Sequence, residues 1–166
     1  MSTHTYSLTT IWLGNKGEGT SDYRAYDRNH TIQIEGKPDL YGSSDPTFRG
    51  DKSRHNPEDL LLAALSACHM MSFLHVCVNA GVIVTAYKDN ATAEMLVNPD
   101  GSGHFTSVTL HPVVAVAKQE MTSNLDELHH KASKLCFIAN SVNFPVRHEA
   151  ACELTSDTGI RKNVSH

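Results

Sequence analysis

A long apolar run is the most prominent pattern along the chain. Between residues 60 and 80, 16 of 21 residues are apolar. The five polar interruptions are Ser66, His69, Ser72, His75 and Asn79. Asn56 is suited to cap a helix, Pro57 to occupy its first turn and Gly81 to end it. The pattern predicts a helix from about residue 57 to residue 80, and since it is apolar on nearly every side, a buried one.

Shorter runs of β-branched and aromatic residues predict strands on both sides of this helix. They lie at residues 6–13, 30–34, 82–87, 91–97, 105–116 and 146–154. The turn sequence Asn-Pro-Asp-Gly at residues 98–101 joins two of them as a hairpin. A second helix is predicted from residue 122 or 123 to residue 138. This order indicates one α+β domain over residues 1–166, with a frayed tail at 155–166.

A helix that is apolar all round needs cover on every side, and a single sheet covers only one face. We therefore expect a homodimer in which this helix packs close to the copy in its partner. A membrane span is the alternative. We do not favour it, because two histidines and three other polar residues interrupt the run, which leaves no stretch of 18 apolar residues.

The composition excludes several classes of partner and cofactor. With 14 Lys and Arg against 18 Asp and Glu, and a net charge of -4, the chain has no basic excess for nucleic acid or an anionic membrane. Eleven histidines raise the question of a metal. His69 and His75 are six residues apart, which is not the i, i+4 spacing of a helical zinc site. The chain also has no C-x2-C pair. We expect no metal and no other cofactor.

The four cysteines are Cys68, Cys77, Cys136 and Cys152. The first residues contain no basic segment followed by an apolar one, so we expect no secretory signal and a reducing cytoplasm, where a disulfide framework is unfavourable. Cys77 and Cys152 are predicted to be packing residues. Cys68 and Cys77 are nine helical residues apart, so they point in opposite directions. A reactive Cys68 would need a positive charge nearby, because it lies too deep in the helix for the dipole to help. Two arginines, Arg49 and Arg54, closely precede the helix.

At residues 56–68 the chain reads Asn-Pro-Glu-Asp-Leu-Leu-Leu-Ala-Ala-Leu-Ser-Ala-Cys, and Cys136 follows downstream in Lys-Ala-Ser-Lys-Leu-Cys. These segments resemble the OsmC/Ohr family of osmotically inducible and organic hydroperoxide resistance proteins. The resemblance implies an α+β fold with antiparallel sheets, a long buried central helix and an intertwined homodimer. It also implies a thiol-dependent peroxidase that reduces organic hydroperoxides in stress defence, with a lipoyl or small thiol as the external reductant. One departure is Phe137, since many members have proline directly after the second cysteine.

Carried over onto this sequence, the resemblance makes Cys68 the peroxidatic cysteine and Cys136 the resolving cysteine, which form a transient disulfide. Glu58 would orient an arginine. In the osmotically inducible branch that arginine shortly precedes the Asn-Pro-Glu motif, which favours Arg49. In the hydroperoxide resistance branch it lies nearer the N-terminus, which would favour Arg24 or Arg28, and we keep Arg28 as the second choice.

The helix itself sets one geometric condition on this assignment. Ten residues of straight helix span about 15 Å, so Glu58 cannot lie beside Cys68 of the same chain. Either the helix breaks, or each active site is composite, with Glu58 and its arginine reaching a cysteine of the other subunit; the intertwined dimer of the family fits the second option. The apolar side chains that could form the substrate walls are Leu61, Leu65, Met70, Met71, Phe73 and Phe137. The alternative function is that of a non-catalytic stress protein of the same fold that binds an apolar small molecule.

Overall fold

The computed structural model describes residues 2–154, so the predicted frayed tail lies outside the described residues. The chain divides into two compact units whose boundary falls between Leu61 and Leu62, within the long helix. Each unit has its own sheet structure. Together they form a mixed α+β fold with two α-helices, as the sequence predicted.

The first unit contains a three-stranded antiparallel sheet. Its strands β1 (Thr9–Trp12), β2 (His30–Gln33) and β3 (Leu40–Gly42) lie side by side in chain order. The first two confirm the predicted meander. The third was missed because three residues between proline and glycine signals are too short to show a strand pattern. A short 3-10 helix, Pro46–Phe48, follows them.

Helix α1 extends from Pro57 to Asn79, as predicted. At its start, the Asn56 side chain accepts a hydrogen bond from the Asp59 amide, and the Asp59 carboxylate accepts one from the Asn56 amide, which forms a reciprocal cap. At its end, Gly81 has φ +71°, and the Val82 amide donates to the Cys77 carbonyl at 2.9 Å. The left-handed glycine therefore ends the helix as its sequence position indicated.

Only one face of α1 is buried within a single chain. The buried side chains are Leu65, His69, Phe73, Val76 and Cys77. Met71 is 61% exposed and Val78 is 76% exposed, so the expected burial on every side is not reached by this chain alone. By length and composition α1 could also cross a membrane, although the core helix of a soluble protein passes the same test.

The second unit contains two three-stranded sheets. Strands β4 (Val84–Asp89), β7 (Pro112–Val116) and β9 (Ala151–Leu154) form one sheet. Strands β5 (Thr92–Val97), β6 (Gly103–Leu110) and β8 (Val146–His148) form the other. The β5–β6 hairpin is confirmed. The last strands, β8 and β9, pair in parallel with β6 and β7, so the sheets are mixed rather than wholly antiparallel.

Several predicted elements differ from the structure in their bounds. The predicted strand 146–154 is the two strands β8 and β9, which lie in different sheets. The predicted strand 105–116 is two strands separated at His111, whose amide donates to the Asp89 carboxylate at 2.7 Å instead of continuing a ladder. Helix α2 covers Leu125–Leu135 and so begins later and ends earlier than predicted. A 3-10 helix, Gln119–Thr122, precedes it, and Cys136 lies at its C-cap.

The core of the second unit lies between α1, α2 and the β4–β7–β9 sheet. Its buried members are Phe73, Val76, Cys77, Val114, Val116, Leu125, Leu128 and Ala132. Because α1 and α2 both contribute a stripe of these residues, the core holds the two helices against each other. This packing determines where the end of α2 meets the middle of α1.

Candidate functional site

The thiols of Cys68 and Cys136 lie close enough together for Cys68 to raise the pKa of Cys136. Cys68 projects from the middle of α1 and is partly exposed, whereas Cys136 follows the last turn of α2 and is 1% exposed. Both are free thiols. The structure thus brings together two cysteines that are 68 positions apart in the chain.

Cys136 sits in a protected environment. Burial raises the pKa of its thiol to about 11; the backbone amide of Ala139 opposes this, and the Cys68 thiol adds to it. The Ala139 amide donates to the Cys136 sulfur at 3.5 Å. A thiol with such a pKa is protonated at neutral pH, so it is a poor first nucleophile.

Cys68 borders a cavity of about 370 Å³ whose other lining side chains are mostly apolar. These are Met71, Ser72, His75, Leu135 and Phe137. Two of the predicted apolar wall residues, Met71 and Phe137, line this cavity. Two others, Leu65 and Phe73, are fully buried in the core, so the wall prediction is wrong for them. The cavity gives Cys68, but not buried Cys136, access to an apolar small molecule.

Arg49 lies in the first unit, at the end of a tightly fixed turn. The Asp45 carboxylate accepts a hydrogen bond from the Thr47 amide at 2.7 Å, and the Asp45 carbonyl accepts one from the Gly50 amide at 3.0 Å. Arg49 itself has φ +66°, the left-handed conformation, which is the only one of its kind among the non-glycine residues described. Such a conformation costs about 1–2 kcal/mol. Its side chain is exposed.

Glu58 occupies the first turn of α1 and is partly buried. Within residues 2–154 no ion pair joins it to Arg49. Helix α1 is continuous from Pro57 to Asn79, so the ten residues between Glu58 and Cys68 separate them by about 15 Å. The first of the two sequence-derived options, a break in the helix, is therefore excluded.

The other arginines near the N-terminal sheet have local partners. Arg28 lies between the rings of Tyr23 and Tyr26, 4.2 Å from each centroid, and donates to the carbonyls of the same two residues. Arg54 lies 3.4 Å from the Asp51 carboxylate and over the ring of Tyr41. These contacts favour structural roles for both side chains.

The two remaining cysteines differ from each other. Cys77 is buried in the core, where burial raises the pKa of its thiol to about 11, in agreement with a packing role. Cys152, on β9, is exposed. The prediction that Cys152 is a packing residue is therefore wrong for this chain, because β9 lies at the edge of its sheet and presents this position to solvent.

Sequence reasoning missed a buried imidazole cluster close to the two thiols. His69 Nε2 and His129 Nδ1 are 3.0 Å apart, and the two rings are nearly parallel. Both residues are almost fully buried, at 2% and 0% exposure. His148 lies 5.6 Å and 5.5 Å from their ring centroids. The available signal was a histidine inside an apolar helix, but its partner cannot be identified from the sequence.

The cluster does not have the geometry of a metal site. Across residues 2–154, no group of three or more His, Cys, Asp or Glu side chains is arranged to hold a metal ion. The facing nitrogens of His69 and His129 are hydrogen-bonded to each other and do not point to a common metal position.

Comparison with known proteins gives a consistent result. The family model described as OsmC-like protein matches residues 50–150, well over half of the chain. No curated protein sequence matches significantly. The structure of an OsmC-like protein of unknown function from Vibrio cholerae superimposes with a TM-score of 0.81 at 30% identity, covering 89% of this chain and 99% of that one.

Two more distant structures have functional descriptions. An organic hydroperoxide resistance protein from Elizabethkingia anophelis matches with a TM-score of 0.64 at 17% identity, covering 93% of this chain and 100% of that one. A protein from Legionella pneumophila, described as an organic hydroperoxide resistance protein, matches with a TM-score of 0.64 at 18% identity, covering 90% and 98%. At these identities the likeness shows the shared fold alone.

Proposed function

We propose, from the premise that the chain belongs to the OsmC-like protein family, that it is a cysteine-based peroxidase. It would reduce organic hydroperoxides at the expense of an external thiol, in oxidative or osmotic stress defence. One observation carries the proposal. The Cys68 thiol is close enough to Cys136 to raise its pKa, and Cys68 borders a mostly apolar cavity.

The reaction balances in two steps. The Cys68 thiolate attacks the peroxide O–O bond, the sulfur is oxidised to a sulfenic acid, and the alkoxide leaves as an alcohol after taking a proton. The Cys136 thiol then attacks the Cys68 sulfur, the S–S bond forms, and the sulfenic oxygen leaves as water with the thiol proton. Two equivalents of an external thiol, a lipoyl or other small thiol, reduce the disulfide and restore both cysteines.

The different burial of the two cysteines supports this division of roles. Cys68 borders the cavity, so a peroxide can reach it, while Cys136 is covered and protonated. A covered thiol is protected from direct oxidation, yet Cys136 lies near the one sulfur that it must attack. The mostly apolar lining suits the organic part of an alkyl or aryl hydroperoxide better than it suits hydrogen peroxide.

Arg49 and Glu58 are the proposed activators of Cys68. A guanidinium is charged at all relevant pH values and can stabilise a thiolate and bind peroxide oxygens, while a carboxylate fixes its orientation. The exposed, left-handed Arg49 has no hydrogen bond or ion pair from its side chain within the described part of this chain, which leaves it free for this role. Arg28, held between two tyrosine rings, is less available.

We further propose that the working form is a homodimer in which Arg49 and Glu58 of one chain reach Cys68 of the other. The apolar side chains that α1 leaves exposed support this, because soluble proteins rarely leave such a face uncovered. Analytical ultracentrifugation that shows a stable, folded monomer at micromolar concentration would contradict the dimer.

Disulfide mapping tests the peroxidase proposal. After one equivalent of cumene hydroperoxide, mass spectrometry should find a Cys68–Cys136 link together with loss of the peroxide. Cys68→Ser should abolish peroxide consumption, and Cys136→Ser should trap the Cys68 sulfenic acid. Cys152→Ser, which removes an exposed thiol, is the matched control and should react normally. Unreacted Cys68 and Cys136 in the wild type would instead favour the non-catalytic alternative, in which the cavity only binds an apolar ligand.

Subunit mixing tests the composite site. Chains with Cys68→Ser and chains with Arg49→Ala should each be inactive as homodimers. About half of the randomly mixed dimers contain one Cys68→Ser chain and one Arg49→Ala chain. Because each such dimer has one intact site of two, mixing should recover about a quarter of the wild-type activity. No recovery, with dimer exchange verified, would contradict a site shared between subunits.

A further inference from the structure

Besides their shared apolar core, α1 and α2 are joined by a polar contact near the two thiols. His69 directly follows Cys68 in α1, and His129 in α2 precedes Cys136, the C-cap of that helix, by seven residues. Seven residues are two helical turns, so His129 and Cys136 lie on the same side of α2, about 10 Å apart along its axis. The His69–His129 hydrogen bond therefore forms a second link between the same two helices.

The imidazole link is held from several sides. The His129 ring stacks on Phe73 with centroids 3.9 Å apart and planes 12° apart. Ser133, one turn further along α2, donates to the His129 carbonyl at 3.1 Å and lies 3.4 Å from His148 Nδ1. Helix α2 is thereby fixed both to α1 and to strand β8.

This arrangement has a cost that packing alone does not explain. A hydrogen bond between two neutral imidazoles uses one ring nitrogen of each, and His129 Nε2 is then buried with no hydrogen-bond partner in the described residues. An apolar side chain of similar size would avoid an unpaired buried nitrogen. Buried polar contacts that carry such an energetic cost can select one packing arrangement over others. Here the arrangement is the alignment of α2 on α1.

We infer that the His69–His129 pair positions the two cysteines, so that it sets how readily Cys136 closes on Cys68. This rests on the proposed function, because it concerns the second step of that reaction. A disulfide requires the two Cα atoms to lie within a narrow distance range and the S–S dihedral near 90°. With the imidazole link removed, the apolar core still holds α2 against α1, but the polar contact that fixes their alignment is lost, and a small rotation of α2 takes Cys136 out of that range. Neither ring lines the cavity at Cys68, so both are positioning residues.

The test measures disulfide closure without peroxide. The protein is equilibrated with mixtures of glutathione and glutathione disulfide; the Cys68–Cys136 disulfide forms as two glutathione molecules are released, and acid-quenched samples give the oxidised fraction by mass spectrometry. His69→Leu and His129→Leu should each lower the effective concentration of the thiol pair by about five- to tenfold, the size expected for loss of one buried hydrogen bond. The double Leu variant should be no worse than either single variant, because both remove the same link.

Conservative variants separate positioning from simple packing. His69→Gln places an amide near the Nε2 position and His129→Asn places one near the Nδ1 position, so both should stay within about twofold of the wild type. His69→Asn is too short to reach and should behave like His69→Leu, which preserves the test if a leucine variant fails to fold. His104→Leu, on an exposed position of β6, is the control and should have no effect.

The outcomes also separate this inference from the proposed function. If folded Leu variants close the disulfide as readily as the wild type, or if Gln and Asn variants are as impaired as Leu variants, the positioning role is wrong. If glutathione disulfide closes the pair in a His-dependent way but cumene hydroperoxide never oxidises Cys68, the peroxidase proposal fails and the positioning role stands.

Discussion

Mild acid should destabilise this protein because His69 and His129 are buried as neutral rings. Burial lowers the pKa of His69 to about 4, with His148 acting in the same direction and Asp89 against it. Burial, together with the neighbouring histidines, lowers the pKa of His129 to about 3. In the unfolded chain both rings titrate near 6.5. Below that pH the unfolded chain binds more protons than the folded one, so the free energy of unfolding falls as the pH falls.

The size of the effect follows from the two pKa values. Each unit of pKa difference corresponds to about 1.4 kcal/mol. Between about pH 7.5 and pH 5, each ring should therefore account for a loss of about 2 kcal/mol, and the loss continues until the pH passes through the folded-state pKa values. The lowered pKa of His148, due first to its burial, adds in the same direction. A combined loss of about 4 kcal/mol is large against a typical total of about 5–15 kcal/mol.

The free energy of unfolding at each pH can be measured by urea titration with circular dichroism as the signal. The protein concentration is kept fixed, so that any contribution from subunit dissociation is held constant. The double variant His69→Gln/His129→Asn keeps the polar contact but contains neither titrating ring. Its free energy of unfolding should fall by about 4 kcal/mol less than that of the wild type between pH 7.5 and pH 5. His104→Gln, which removes an exposed ring, should parallel the wild type. Parallel curves for the wild type and the double variant would refute the reasoning.

Three further predictions concern packing and turns. Phe73 is fully buried, so Phe73→Ala should lower the free energy of unfolding by about 3–5 kcal/mol in urea titration. A loss below about 1 kcal/mol would contradict close packing around this side chain. A Cβ atom on Gly50 would lie 1.5 Å from the Ser44 carbonyl oxygen, so Gly50→Ala should lower the Tm, and an unchanged Tm in differential scanning calorimetry would contradict the turn geometry. Ser66 donates to the Asp89 carboxylate at 2.5 Å, so Ser66→Ala should lower the free energy of unfolding by about 1.5–3 kcal/mol in urea titration, and a loss below about 0.5 kcal/mol would contradict this prediction.

The long helix could be predicted from the sequence because its signals are local. Asn56, Pro57 and Gly81 are within a few residues of the backbone groups that they cap or turn. The hairpin at residues 98–101 is local in the same way. The break at His111 has a local signal in Pro112, which has no amide hydrogen to donate. The hydrogen bond from the His111 amide to the Asp89 carboxylate could not be predicted, because Asp89 comes from a different strand.

For the candidate site too, contacts between residues far apart in the chain could not be predicted from local signals. The pairing of Cys68 with Cys136 was expected only through the family resemblance, since no property of the two short segments requires them to meet. The His69–His129 contact joins residues 60 positions apart and has no motif, so it became visible only in the folded chain. The predicted burial of α1 on every side depends on a partner subunit and stays a prediction, because periodicity reports which faces are apolar but not how many chains cover them.

Burial gives the two cysteines of the candidate site their different chemistry. If both thiols were open to the cavity, peroxide could oxidise either, and a second oxidation could outrun closure of the disulfide. With Cys136 covered and its pKa raised to about 11, only Cys68 is available for the first step. The same buried thiol still carries the proton that the departing oxygen needs in the second. Because this arrangement depends on holding Cys136 against Cys68, the packing of α2 on α1 belongs to the proposed mechanism as much as the sulfur atoms do.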